Sequence, residues 1–217
     1  MAAPERIATW ISTVLNPFFL APVLFIMLAR QYSVSLYESS FIISVAVLFY
    51  TLLPLFILFG FKRRKLIISY DVPVRSNRNK PFVLGLCSYA AGLAIFLMIP
   101  FESAWIYAVI SAVMLLNGIL SALINLHWKI SIHSNGIASF SAGLLLLVWF
   151  GYLFPFPGYP VIAVLILFLL TAAVVWARIV LGAHTTAQAV AGAVLGAVVT
   201  TGLMWFFLMS STVMVIG

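Results

Sequence analysis

Charge is what this sequence has least of. Only 7% of its 217 residues are Asp, Glu, Lys or Arg, against 65% hydrophobic. A water-soluble domain carries about 25% charged residues, so a soluble globular fold is excluded. Disorder is excluded as well, because disordered chains are polar and poor in large apolar side chains. Acidic residues are scarcest of all: Glu5, Glu38, Asp71 and Glu102 stand against eleven Lys and Arg, for a net charge of +7. The single cysteine, Cys87, rules out an internal disulfide framework and a cysteine-based metal cluster. No internal repeat or low-complexity tract appears.

What is present is a series of long apolar runs. A bilayer core about 30 Å thick needs roughly 20 apolar residues per helix. Seven stretches qualify: approximately Ile7–Leu28, Phe41–Phe61, Phe82–Ile99, Ser103–Leu126, Gly136–Phe154, Pro160–Val180 and Ala187–Leu208. The expected fold is all-α, a polytopic transmembrane helix bundle of six to seven spans forming one integral membrane domain over 1–217. The first stretch is the weakest, because Asn16, Pro17 and Pro22 interrupt it, so a kinked or partly interfacial helix is expected there. The segment before it, Met1 to Arg6, is not a convincing signal-peptide start and reads as the lead into a retained first helix.

The few charges are not scattered. Seven of the eleven basic residues lie between Lys62 and Lys80, which speaks against a nucleic-acid partner. The connections Arg30–Ser40, Pro100–Glu102 and Phe154–Tyr159 hold few charges. Lys62–Pro81, His127–Asn135 and Arg178–Thr186 hold nearly all the basic residues and all three histidines. Two spans separate each of these three from the next, so they fall on one membrane face. The positive-inside rule makes that face cytoplasmic, in what is expected to be the cell (inner) membrane. The tetrad Lys62-Arg63-Arg64-Lys65 reads first as a stop at the lipid headgroups.

Three polar clusters remain: Asp71 to Pro81, Lys129 to Gly136, and Arg178 to Gln188. Guanidinium forks match phosphate oxygens, and Lys adds a point charge. Histidine can act as nucleophile, acid or base near neutral pH. Two histidines among several cations therefore suit phosphoryl transfer, with one attacking phosphorus and the other protonating the leaving oxygen. Fixed cations would neutralise the phosphate oxygens, so no metal and no cofactor is expected. Arg178 and His184 are six residues apart, roughly 240° around one straight helix, so they cannot share a face of it. Gly182 supplies a break, and Thr185-x-x-Gln188 has the capping-box pattern of a new helix start.

Plainer roles stand beside these. Arg178 could snorkel to headgroups, Ser131 could be only a helix cap, and Gln188 only the partner in a capping box. His127 reads as an interfacial hydrogen bonder. Gly192 and Gly196 form a GxxxG pair that reads as close helix packing.

These motifs resemble those of the type 2 phosphatidic acid phosphatase superfamily, which includes membrane lipid phosphatases and soluble vanadium haloperoxidases. The family pattern is Lys-x6-Arg-Pro, then Pro-Ser-Gly-His, then Ser-Arg-x5-His-x3-Asp. Here Ala177-Arg178-x5-His184-x3-Gln188 matches the third in spacing, and Ile130-Ser131-Ile132-His133 keeps the Ser and His of the second. The first is loose, with Arg78-Asn79-Lys80-Pro81 following Arg75. The resemblance covers a core of about 71–196. It implies that His184 is the nucleophile forming a phosphohistidine and His133 the acid for the leaving group. It further implies that Arg75, Arg78, Lys80, Ser131 and Arg178 hold the phosphate. Gln188 stands where the family has Asp; its carbonyl can accept the same N–H bond but brings no charge, so altered tuning is expected.

The expected function is an integral membrane phosphatase of a lipid phosphate or diphosphate, such as a polyprenyl or glycerophospholipid phosphate. The alternatives are a phosphotransferase using the same pocket and a non-catalytic lipid-binding or transport protein.

Overall fold

Long apolar runs with no strand-like alternation fold here as helices, because a backbone in hydrocarbon must satisfy its own hydrogen bonds. The computed structural model describes residues 2–72, 74–153 and 160–216. The helices are α1 (Ala3–Val14), α2 (Pro17–Tyr32), α3 (Leu36–Val47), α4 (Leu53–Arg63), α5 (Asn79–Met98), α6 (Ala104–His127), α7 (Ile132–Trp149), α8 (Pro160–Val180) and α9 (Thr186–Ile216). A π-turn over Leu48–Leu52 joins α3 to α4, and a 3₁₀ turn over Arg75–Arg78 leads into α5. Among the described residues six helices are long and apolar enough to cross a membrane, with α3 and α4 counting as one (Leu36–Arg63). The pair α1 and α2, bent by 45°, would make a seventh.

Several boundaries differ from those expected. The segment from Arg75 to Pro81 is helical, and the polar loop before it is correspondingly shorter. Pro81 fits because it sits in the first turn of α5, where a backbone N–H would have no partner anyway. Likewise α7 starts at Ile132, four residues before the expected Gly136, because Ser131 caps it by accepting from the Ser134 N–H. The connection Phe154–Tyr159 lies outside the described residues.

The interruption in the first stretch is a true break. Asn16 is the N-cap of α2, its side-chain oxygen accepting from the Phe18 N–H, and Pro17 takes the first helical position. Pro22 then leaves the Phe18 carbonyl without its usual donor, and the Thr51 hydroxyl supplies one from the π-turn. Pro54 does the same to Phe49, whose carbonyl receives the Ser88 hydroxyl at 2.6 Å. Two hydroxyls thus replace two backbone donors that proline removed, as lipid-surrounded helices require.

Packing brings the chemistry-bearing ends together. A methyl group on Gly192 would lie 2.5 Å from the Ser131 carbonyl oxygen, and one on Gly196 would meet Asn135. The two glycines let α9 touch the first turn of α7, and the Ser131 N–H reaches the Gln188 carbonyl at 3.3 Å. The centre of the bundle is aromatic: Phe25 stacks with Tyr50, Phe96 and Tyr107 at centroid distances of 5.3, 5.4 and 5.8 Å. At the end of the bundle away from the polar loops, buried Glu38 accepts from the Val34 N–H and the Ser103 hydroxyl, tying the start of α3 to that of α6.

Candidate active site

The polar loops converge as their parity required. Arg78 is buried, and its guanidinium donates to three backbone carbonyls: Val72 at 2.8 Å, Ile130 at 3.0 Å and Asp71 at 3.3 Å. This stitches the loop after α4 to the chain entering α7. Val72 adopts φ +43°, a region a β-branched residue rarely enters, and Arg78 holds the carbonyl that this conformation presents. Lys129 reaches the Ala183 carbonyl at 2.7 Å and so ties the second polar loop to the third.

Arg178 ends α8 and is 2% exposed. It pairs with the half-exposed carboxylate of Asp71 at 3.2 Å and donates to the Ser12 hydroxyl of α1 at 2.7 Å. Its Nε has no partner among the described residues. Burial alone would raise the Asp71 carboxyl, but Arg178, His133 and Arg78 together hold it below the ordinary carboxylate range. Three cations, Arg78, Lys129 and Arg178, therefore surround one carboxylate. The balance is an excess of positive charge, which suits an anion.

His184 follows a turn in which Gly182 takes φ +61°, a conformation natural to glycine. Thr185 caps α9 by accepting from the Gln188 N–H, and the Gln188 side-chain oxygen accepts in return from the Thr185 N–H at 3.3 Å. The same oxygen lies 3.3 Å from His184 Nδ1. Since the Thr185 N–H can only donate, the amide is turned oxygen-first, and Nδ1 must carry the proton. Nε2 is left with its lone pair free. Burial, then the charges of Arg78, Lys129 and Arg178, push the imidazole down to about 3, against a smaller upward pull from Gln188. His184 is thus neutral at physiological pH, the form a nucleophile needs. Burial and the other two cations also lower Lys129 from its ordinary value.

His133, in the first turn of α7, has Nε2 3.2 Å from the Asn16 side-chain nitrogen. Both histidines border a cavity of about 250 Å³. Asp71, Arg78 and Arg178 share its polar end, while Leu24, Leu86, Val113, Phe140 and Met204 line its apolar length between the helices. The cavity is thus charged at one end and apolar along its depth.

The remaining expected phosphate binders lie elsewhere. Arg75 donates to the Leu126 and Asn125 carbonyls at the end of α6, and Lys80 is exposed on α5 away from the cavity wall. The Ser131 hydroxyl bonds the Ser134 hydroxyl at 2.9 Å while capping α7, and Ser131 does not line the cavity. His127 is exposed at the end of α6. Sequence reasoning passed over Lys129, which brings a lysine charge to His184, and over Ser12 and Asn16. The signal for Asn16 was there: Asn followed by Pro marks a helix start as readily as an interruption.

Comparison with known proteins bears on the carboxy-terminal part of the chain. Residues 118–211 match the PAP2 superfamily. The PAP2 segment runs from the last third of α6 into α9, so it holds His133, Arg178, His184 and Gln188 and leaves out Asp71 and Arg78. It is a likeness over less than half of the chain. No curated protein and no solved structure matches the chain.

Proposed function

We propose that this integral membrane protein hydrolyses a lipid phosphate or diphosphate through a phosphohistidine. The observation that carries the reading is His184, neutral and with Nε2 unprotonated, beside Arg78 and Arg178 at the polar end of an apolar cavity and within reach of the Lys129 charge. The phosphate enters between Arg78, Lys129 and Arg178, which hold its oxygens, while the lipid chain lies in the apolar part of the cavity. Nε2 of His184 attacks phosphorus in line, and the bond from phosphorus to the lipid oxygen breaks. His133, protonated by the acidic proton that the incoming phosphate carries, gives that oxygen a proton, releasing the lipid alcohol, or a lipid monophosphate when the substrate is a diphosphate. Water, losing its proton to His133, then attacks phosphorus. The P–N bond breaks, and inorganic phosphate leaves with the proton that His133 had taken from water. Gln188 holds Nδ1–H throughout but offers no charge to the cationic intermediate.

The test is phosphate release by the purified protein from polyprenyl phosphate, polyprenyl diphosphate, phosphatidic acid and phosphatidylglycerophosphate. Turnover of at least one, abolished in His184→Ala, is the expected result; an unchanged rate in that variant would exclude the mechanism. The active-site end is assigned to the cytoplasmic face on its basic loops. With exposed Cys87 replaced by Ser, a cysteine at Ser76 should react with an impermeant thiol reagent only in inverted vesicles. Labelling in right-side-out vesicles would reverse the assignment.

A further inference from the structure

The bend between α1 and α2 lies outside the PAP2 segment, yet it is where the amino-terminal part of the chain meets the candidate site. Two side chains on it contact the residues that would do the chemistry. Ser12, buried in the last turn of α1, accepts from Arg178 at 2.7 Å. Asn16, just past that helix, lies 3.2 Å from His133.

The orientation of Asn16 is not free. Its oxygen is occupied by the Phe18 N–H at the start of α2, so its nitrogen faces His133. An amide nitrogen can only donate, and His133 Nε2 must therefore accept, leaving the proton on Nδ1. The bend is also seated on α7 beside this contact. A methyl group on Gly136, one turn after His133, would meet Pro17 at 2.7 Å, so only glycine allows the approach.

We propose that Asn16 and Ser12 are positioning residues, Asn16 fixing the tautomer and direction of the His133 ring and Ser12 fixing the Arg178 guanidinium. The effect on rates rests on the phosphatase reading; the effect on the ring does not. His184 and His133 are then held by opposite devices, an amide oxygen on one Nδ1–H and an amide nitrogen on the other Nε2. The charged groups facing His133 are Arg178 from α8, Asp71 from the loop after α4 and Arg78 from the 3₁₀ turn. None of them donates to or accepts from its ring, which leaves the tautomer to Asn16.

The decisive variant is Asn16→Ser in the full chain in lipid nanodiscs. Serine keeps an acceptor for the helix start but removes the nitrogen donor. In ¹⁵N-histidine spectra, wild-type His133 should show a protonated Nδ1 and a bare Nε2, and Asn16→Ser a mixture of tautomers with an unchanged unfolding temperature. The same variant should lower kcat by about 10–100-fold, the usual effect of losing a group that orients a functional ligand, with KM nearly unchanged. Ser12→Ala should weaken orthovanadate binding about tenfold, about 1.4 kcal/mol, and Ser12→Thr should restore it. A wild-type tautomer and kcat in Asn16→Ser, or unaltered vanadate binding in Ser12→Ala, would overturn the proposal. So would a lowered unfolding temperature with the tautomer unmoved, which would make Asn16 a helix cap alone. If the wild-type protein releases no phosphate while the tautomer shifts in Asn16→Ser, the phosphatase reading fails and the role of Asn16 stands.

Discussion

The two ends of this bundle handle buried charge in opposite ways. At one end Glu38 is a lone carboxylate whose two oxygens accept from neutral donors, a backbone N–H and a serine hydroxyl. Glu38 does not line the cavity described above, and the result is a tie between α3 and α6. At the other end Asp71 meets Arg178, with Arg78 and Lys129 close by and no further acid among the described side chains that shape the pocket. Satisfied charge holds helices together, whereas charge left in excess beside a cavity waits for a partner. The comparison separates structure from function without reference to any motif.

The sharpest way to break the contrast is at His184. Replacing it with Ala should lower phosphate release by about 10³-fold or more, as loss of a nucleophile does, and leave the unfolding temperature near that of wild type. Next is Gln188→Ala, which removes the acceptor of Nδ1–H and should lower kcat by about 10–100-fold. Gln188→Glu should instead raise the His184 pKa from about 3, visible as a shifted titration in ¹⁵N spectra. The accompanying effect on stability has a definite sign. The folded pKa lies below the ordinary value of 6.5, so the unfolded chain binds the proton more readily between the two. His184 therefore costs stability as pH falls through that window and has no pH-dependent effect above it. The glutamate variant should narrow the window.

Asp71→Asn removes the one anion competing for Arg178. Orthovanadate should bind about tenfold more tightly to it, by about 1.4 kcal/mol, and the gain should shrink as salt screens the half-exposed pair. The smallest effect on rate belongs to the other end. Glu38→Ala should leave kcat unchanged while lowering stability by about 1–3 kcal/mol, because the Val34 N–H and Ser103 hydroxyl lose their acceptor. A rate loss there would erase the distinction between the ends.

Much of this was legible in the sequence. Hydropathy gave the bundle, and the parity of the polar loops gave their meeting, since both depend only on counting apolar lengths. The turn at Gly182 and the start of α9 followed from local rules that do not need a partner helix. Gln188 was open between capping α9 and orienting His184; the structure gives one oxygen both tasks, which spacing alone could not reveal. What sequence reasoning missed was set by depth and register. Arg75 and Arg78 are three residues apart, yet one turns outward to the end of α6 and the other inward beneath Val72. Lys129 and Lys80 look equivalent on paper, and only the approach of the second and third loops selects Lys129. Ser12 and Asn16 lie more than 100 residues from the histidines, and no local pattern couples such distant positions.

The glycines of α9 have one more consequence. With Gly192 and Gly196 pressed onto Ser131 and Asn135, the ends of α7 and α9 that carry His133 and His184 are coupled as one stiff frame. Asp71 and Arg78 come from outside that frame, on the chain between α4 and α5. The separation of the two histidines is thus set by glycine contacts between α7 and α9, and of the three cations only Arg78 reaches them from outside that frame.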